Sequence, residues 1–354
     1  MKLDALGYNG KIKKSNLDNN QEALEIGRIV AEHKERYIVQ TEKWQFEAEI
    51  TGNLRYTAAS RADFPAVGDW VTLMVYDSHS AIIHKILPRY ATLSRKAAGR
   101  LWEIQIIATN IDYAFIVQAA DRDFNLNRLE RYLTLCNTCK IEPIIVLNKT
   151  DLVSEVELSK MTERIQNRIL GVRLHTISAT REEGLAQLKS SIEQGKTYCL
   201  LGSSGVGKST LVNALSKKQK METKDISSHS NKGQHTTTHR ELILLENGGI
   251  LIDNPGMREV GITDSSEGVE RTFESLLALT ENCRFKNCSH TSEKGCAIIE
   301  AVELGNVDRS VYENYLRMER EKAHFESSVA EKRKKDKDFG KMVKLYKNLK
   351  KSDQ

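Results

Sequence analysis

No apolar run in the chain approaches the roughly 18 residues needed to cross a bilayer, and Met1 to Leu6 lack the long apolar core of a secretion signal. A membrane-spanning helix is excluded on that count, no membrane partner is expected, and a reducing cytoplasm is the expected setting. Cysteine is sparse, six in 354 residues, so a disulfide scaffold is not expected and the thiols are open to other uses. Charge of neither sign dominates: a formal +5 permits a polyanionic partner without requiring one. No internal repeat is visible. What is present is a 40% hydrophobic fraction in a chain long enough for two or three domains, each with its own core.

Residues 1–24 are polar and rich in Asn and Lys, and read as a flexible leader. Over 25–95 the pattern turns to short β-like runs: Arg28 to Ala31, Arg36 to Val39, Trp44 to Ile50, Asp69 to Val75 and Ala81 to Ile86. Five short strands in about sixty residues predict a small closed barrel of the OB type, a fold that often binds oligonucleotides. Arg55, Arg61, Lys85 and Arg89 are its candidate nucleic-acid residues, against the plainer reading of a solvated surface. Over 96–265 strands alternate with helices, which predicts a parallel α/β domain. Residues 266–354 read as helical, interrupted by a Cys/His cluster and ending in a Lys-rich tail that includes Lys332 to Lys335 and Lys341 to Lys351. That tail reads as a solvated helix, or, given a polyanionic partner, as a phosphate-contacting segment.

The strongest motif is Gly202, Ser203, Ser204, Gly205, Val206, Gly207, Lys208 and Ser209, followed by Thr210, which fits G-x-x-x-x-G-K-[ST] without a mismatch. The apolar run Tyr198 to Leu201 precedes it and an amphipathic helical pattern follows, the strand–loop–helix context the motif requires. Glycines let backbone N–H groups close around phosphates, with a helix N-terminus adding its positive end. Lys208 is expected to reach the β/γ-phosphates and the Ser209 hydroxyl to bind Mg²⁺. Asn148, Lys149, Thr150 and Asp151 follow a buried strand, where open α/β sheets place ligand contacts. A carboxylate at Asp151 can accept both N1–H and the amino group of guanine, a donor pair adenine lacks, which selects GTP over ATP. Asn148 is expected at the far edge of the base, with the Lys149 stem along the ring. Ser178 and Ala179 end the next strand, where a backbone N–H can meet the guanine oxygen. Asp253 is expected to hold Mg²⁺, and the Gly256 N–H to sense the γ-phosphate. One hydroxyl among Thr236, Thr237 and Thr238, in the polar stretch Gly233 to Glu241, can complete the Mg²⁺ shell.

Cys283, Cys288, His290 and Cys296 supply three thiolates and an imidazole, a donor set matching a closed structural Zn²⁺ site, against the alternative of disulfides or idle thiols. Arg284, Lys286 and Lys294 lie in the same loop and give it a basic surface. Cys136, Cys139 and Cys199 read as core.

In most GTPases the phosphate loop comes first and the guanine-reading tetrapeptide last. Here the tetrapeptide at 148 and the Ser-Ala at 178 precede the loop at 202. Such an arrangement resembles the circularly permuted GTPases. With a barrel before it and a Cys/His cluster after it, the chain is similar to the ribosome small-subunit-dependent GTPase family. The resemblance implies a circularly permuted Ras-like P-loop domain flanked by an OB-type barrel and a helical zinc-binding lobe. It also implies GTP hydrolysis to GDP, stimulated by the small ribosomal subunit and its rRNA during late maturation of that subunit. Met257 stands where many GTPases carry a water-orienting glutamine, so slow intrinsic hydrolysis is expected. The resemblance points to His235 as the substitute, with His239 competing. Asn254 departs from the family's usual Ser or Thr. A monomer is the simplest expectation. A GTPase switch with a non-ribosomal partner and a non-enzymatic RNA-binding zinc protein remain open alternatives on the sequence alone.

Overall fold

The computed structural model describes residues 2–16, 24–33, 36–96, 104–121, 123–216, 240–253 and 266–323. They belong to two compact units, Met1–Gly261 and Ile262–Gln354. Among the described residues no helix is long and apolar enough to cross a membrane.

The stretch expected to be a flexible leader is instead packed where it is described. A 3-10 turn at Leu3–Leu6 and helix α1 (Gly10–Asn16) bury Leu6 and Ile12 against Trp70 and Leu87. Two apolar anchors among Asn and Lys carry no period, so composition alone hides them.

Strands β1 (Glu25–His33), β2 (Arg36–Thr41), β3 (Gln45–Ile50), β4 (Trp70–Val75) and β5 (Ser80–Ile86) form the barrel, with α2 (Gly52–Thr57) between β3 and β4. The ring runs β1-β2-β3-β5-β4 and closes through β1–β4. Alternation in β3 buries Phe46, Ala48 and Ile50 and leaves Gln45, Glu47 and Glu49 outside, as a half-buried strand requires. A hairpin of β6 (Thr92–Lys96) and β7 (Ile104–Thr109), which the sequence pattern did not reveal, follows the barrel.

The α/β domain contains β8 (Tyr113–Ala119), α3 (Leu126–Cys139), β9 (Glu142–Asn148), α4 (Glu155–Arg168), β10 (Arg173–Thr176), α5 (Leu185–Ser190), β11 (Thr197–Leu201), α6 (Lys208–Ser216), β12 (Glu241–Leu244) and β13 (Ile250–Asp253). Its strand order is β10-β9-β8-β11-β13-β12, all parallel except β12. Helices cover both faces, so β8 and β11 are buried almost throughout and read as unbroken apolar runs. Ile116 packs with Leu129, Leu133 and Ile165 of α3 and α4, whereas Phe115 and Val117 pack with Leu188 and Leu211 of α5 and α6.

The barrel is fastened to this sheet. Ala31 of β1 pairs with Glu241 of β12, which makes one continuous sheet. Arg28, fully buried, donates to the carbonyls of Leu6 (2.6 Å), Gly68 (3.2 Å) and Asn110 (3.2 Å) and to Thr197 Oγ1 (3.0 Å). One guanidinium thus ties the N-terminal segment, the barrel, the entry to β8 and the start of β11. Arg89 is not a nucleic-acid residue as the sequence reading allowed. Its fork grips the buried Asp69 at 2.6 and 2.8 Å and caps the carbonyls of Ala62 and Phe64.

The second unit comprises α7 (Ser266–Thr272), α8 (Glu274–Leu277), α9 (Ala297–Glu303) and helical residues 309–323, packed around Val269, Phe273, Ile298, Tyr315 and Met318. The Lys-rich tail lies outside the described residues.

Candidate functional site

β11 is buried over its whole length, so the chain can turn only beyond Leu201, and residues 202–207 make that turn into α6. Gly207 has φ +94°, and a Cβ there would lie 2.3 Å from Asn148 Nδ2. A Cβ on Gly202, at φ +148°, would lie 2.3 Å from the Val117 carbonyl oxygen. Both glycines are therefore required by close approach as well as by conformation. The Lys208 ammonium donates to the carbonyls of Gly202 (2.7 Å) and Ser203 (2.5 Å), which folds the loop over its own lysine. Ser203, Ser204, Gly205, Ser209 and Thr210 are half-buried along the same turn and the first turn of α6, with Val206 buried beneath them.

β9 ends at Asn148, and Lys149 takes a left-handed conformation, φ +63°, that redirects the chain into the 3-10 turn Thr150–Leu152. The Thr150 N–H donates to Ile177 O at 3.2 Å, pinning this turn to the end of β10. Asn148 is 2% exposed, and its amide joins all three loops. Nδ2 donates to Val206 O at 2.9 Å, and Oδ1 accepts the Ala179 N–H at 3.0 Å. Of the Ser-Ala loop's backbone N–H groups, that of Ala179 is thus engaged by Asn148 and that of Ser178 by the Glu183 carbonyl at 3.0 Å. The Ser178 hydroxyl, whose part the sequence did not disclose, donates to Asp151 Oδ1 at 2.6 Å and accepts the Arg181 N–H at 3.1 Å. Asp121, just past the end of β8, pairs with Lys149 Nζ at 3.2 Å. Asp121 lies 28 residues before Lys149, so no local pattern in the sequence pairs them.

Asp253 ends β13. Burial pushes its carboxyl up to about 6, with the Lys208 ammonium opposing the rise and Glu241 reinforcing it. His235, Thr236, Thr237, Thr238, His239 and Gly256, with Asn254 and Met257, lie outside the described residues. Cys136 and Cys199 are fully buried and burial raises both thiols, so they are core groups rather than nucleophiles.

In the second unit the ligand atoms of Cys283, Cys288, His290 and Cys296 all lie within 4.8 Å of one another. His290 Nδ1 is 3.7 Å from Cys283 Sγ and 3.5 Å from Cys296 Sγ. A tetrahedral ion with Zn–S of about 2.3 Å and Zn–N of about 2.05 Å has S···N edges of about 3.6 Å. These donors therefore fit zinc in both identity and spacing.

The sequence model of the RsgA GTPase family matches residues 86–263. A Bacteroides thetaiotaomicron protein named small ribosomal subunit biogenesis GTPase RsgA 1 is 40% identical over 98% of this chain and 97% of its own length. Among solved structures, YjeQ from Thermotoga maritima is similar over 85% of this chain and 99% of that one, with TM-score 0.63 and 25% identity. YloQ, described as a circularly permuted GTPase, matches over 86% of this chain and 98% of that one, with TM-score 0.62 and 24% identity. A family model that matches half of the chain and a 40% identical relative aligned almost end to end show that the chain belongs to the RsgA GTPase family.

Proposed function

We propose that this chain binds GTP between the loops at 148–151 and 202–208 and hydrolyses it with Mg²⁺ during late maturation of the small ribosomal subunit, which stimulates turnover. The observation that supports this reading best is the Asn148 amide. It joins the guanine-reading loop, the Ser-Ala loop and the phosphate loop despite their permuted order in the chain.

Asp151 reads the base, with the Ser178 hydroxyl fixing one carboxylate oxygen. Lys149, steadied by Asp121, lies along the ring. The backbone of 202–207 cradles the phosphates, and Lys208 exchanges its loop carbonyls for phosphate oxygens when nucleotide enters. Ser209, Asp253 and a hydroxyl among Thr236 to Thr238 are the groups that would hold Mg²⁺, which supplies charge neutralisation at the γ-phosphate. Gly256 senses that phosphate, and His235 orients the attacking water. The Cys/His cluster holds a structural Zn²⁺. Arg284, whose guanidinium lies 5.5 Å from the Phe285 ring centroid, offers rRNA a stacked cationic surface with Lys286 and Lys294. The protein acts as a cytoplasmic monomer.

The test is GTP turnover with and without purified small ribosomal subunits, on the wild type and on His235→Ala. Subunits should accelerate the wild type by orders of magnitude, and the variant should bind GTP normally while losing the acceleration. Equal turnover at saturating subunit would reject the ribosomal assignment.

A further inference from the structure

The loop that carries the imidazole of the Cys/His cluster has to hold a backbone conformation its residue disfavours. His290 sits at φ +59°, in the left-handed region where a Cβ crowds the following carbonyl. Groups outside the four donor side chains hold it there. Glu293 Oε1 accepts the Ser289 N–H at 2.9 Å and the Ser289 hydroxyl at 2.5 Å. Its Oε2 accepts the N–H groups of Thr291 and Ser292, each at 3.1 Å. One carboxylate therefore holds the residues on both sides of His290. From the helical stretch 309–323, the Tyr312 phenol donates to the His290 carbonyl at 2.7 Å.

We propose that Glu293 and Tyr312 are positioning residues of the metal site, holding the His290 backbone so that Nδ1 meets the three thiolates without metal having to order the loop. The proposal rests on the zinc reading above. Its physical content is entropic. A ligand already in place costs little to immobilise, whereas a free loop must be ordered at the expense of metal affinity. Glu293 touches neither donor sulfur nor donor nitrogen in the hydrogen bonds it makes, so its loss leaves the ligand set intact.

The experiment uses the full chain, stripped of metal and titrated first with Co²⁺ and then with Zn²⁺ against a chromophoric chelator. The wild type should give the visible bands of a tetrahedral thiolate-rich Co²⁺ site. Glu293→Ala should reach the same bands at saturation but bind Zn²⁺ roughly 10- to 100-fold more weakly, the range of losses that follow removal of outer-shell partners. Glu293→Gln, with one acceptor oxygen in place of two, should fall between. Tyr312→Phe, which keeps the ring and loses only the hydroxyl donor, should weaken binding in the same direction. Nucleotide affinity should not move in any of them. Unchanged Zn²⁺ affinity in Glu293→Ala and Tyr312→Phe would overturn the positioning role while leaving zinc in place. Altered Co²⁺ bands at saturation would overturn it too, by showing that the ligand set had changed. A wild type without tetrahedral Co²⁺ bands would instead reject the metal reading itself.

Discussion

Asp151→Asn should convert the base preference from guanine to xanthine. The Asp151 side chain is only 15% exposed, and one of its oxygens already accepts the Ser178 hydroxyl at 2.6 Å. An asparagine can keep that bond through its carbonyl oxygen, but its other position becomes a donor. Guanine presents two donors there, N1–H and the amino group, and would face an N–H instead of a lone pair. Each hydrogen bond to a buried charge contributes about 1.5–3 kcal/mol, so losing two costs about 3–6 kcal/mol, or roughly 10²- to 10⁴-fold in affinity. Xanthine, with an oxygen in place of the amino group, recovers one of them. Fluorescent GDP and XDP titrations of both proteins measure the exchange directly. If Asp151→Asn keeps its GDP affinity within a few-fold and gains nothing for XDP, Asp151 does not read the base and the cleft is misassigned.

Gly207→Ala should cost about 3 kcal/mol of nucleotide affinity, roughly a hundredfold, because the new Cβ drives Asn148 off Val206 and Ala179 and strains a φ of +94°. Equilibrium GDP binding checks it, and a loss below threefold would show that the Asn148 clamp is dispensable. Asp253, raised by burial to about 6 from an ordinary 3.8, makes the folded state the better proton binder. Stability without nucleotide or metal should therefore fall as pH rises from about 4 through about 6, by at most about 3 kcal/mol, and Asp253→Asn should abolish that slope in denaturant titrations. Arg28→Met strands four buried acceptors at about 1 kcal/mol or more each, so the first unit should melt on the order of 10 °C lower. GDP affinity at 20 °C should hold, and a parallel loss of both would refute the idea that this anchor holds the sheet without touching the cleft.

Motifs were legible where local chemistry dictates local geometry. The run Gly202 to Ser209 could be placed from sequence because a buried strand must end before it and a helix must begin after it. Asn148 and Asp151 could be placed because βα loops emerge at one end of a parallel sheet. The interactions that join these pieces were not legible. Arg28 looks like any arginine in a β-run, and only the closed barrel reveals that its four acceptors come from residues 6, 68, 110 and 197. Arg89 was taken for a surface cation because nothing in its neighbourhood announces Asp69, twenty residues away. Leu6 and Ile12 were lost in a polar leader for the same reason: a long-range partner leaves no local period. Asp121, Ser178 and Glu293 each act on a neighbour's side chain or backbone, a role that residue type alone does not encode.

The permutation gains a physical meaning from the sheet order. β11, which carries the phosphate loop, is flanked by β8 on one side and β13 on the other. These are the strands at which the chain enters and leaves the α/β domain, so both junctions lie next to the strand that leads into the loop at 202–207. They are not equivalent. On the β8 side Arg28 binds Asn110 O and Thr197 Oγ1 together, at the ends of β8 and β11 remote from the phosphate loop. Five residues of extended strand, about 16 Å, separate Thr197 from Gly202, so this anchor holds the sheet without touching the nucleotide cleft. The same guanidinium binds Gly68 O of the barrel, so barrel and sheet share one anchor. On the β13 side the last residue is Asp253 itself, whose charge depends on burial and on Lys208. A charge placed against Lys208 would therefore be felt first at Asp253, on the exit strand, whereas the entry strand is held by a clamp that does not reach the cleft.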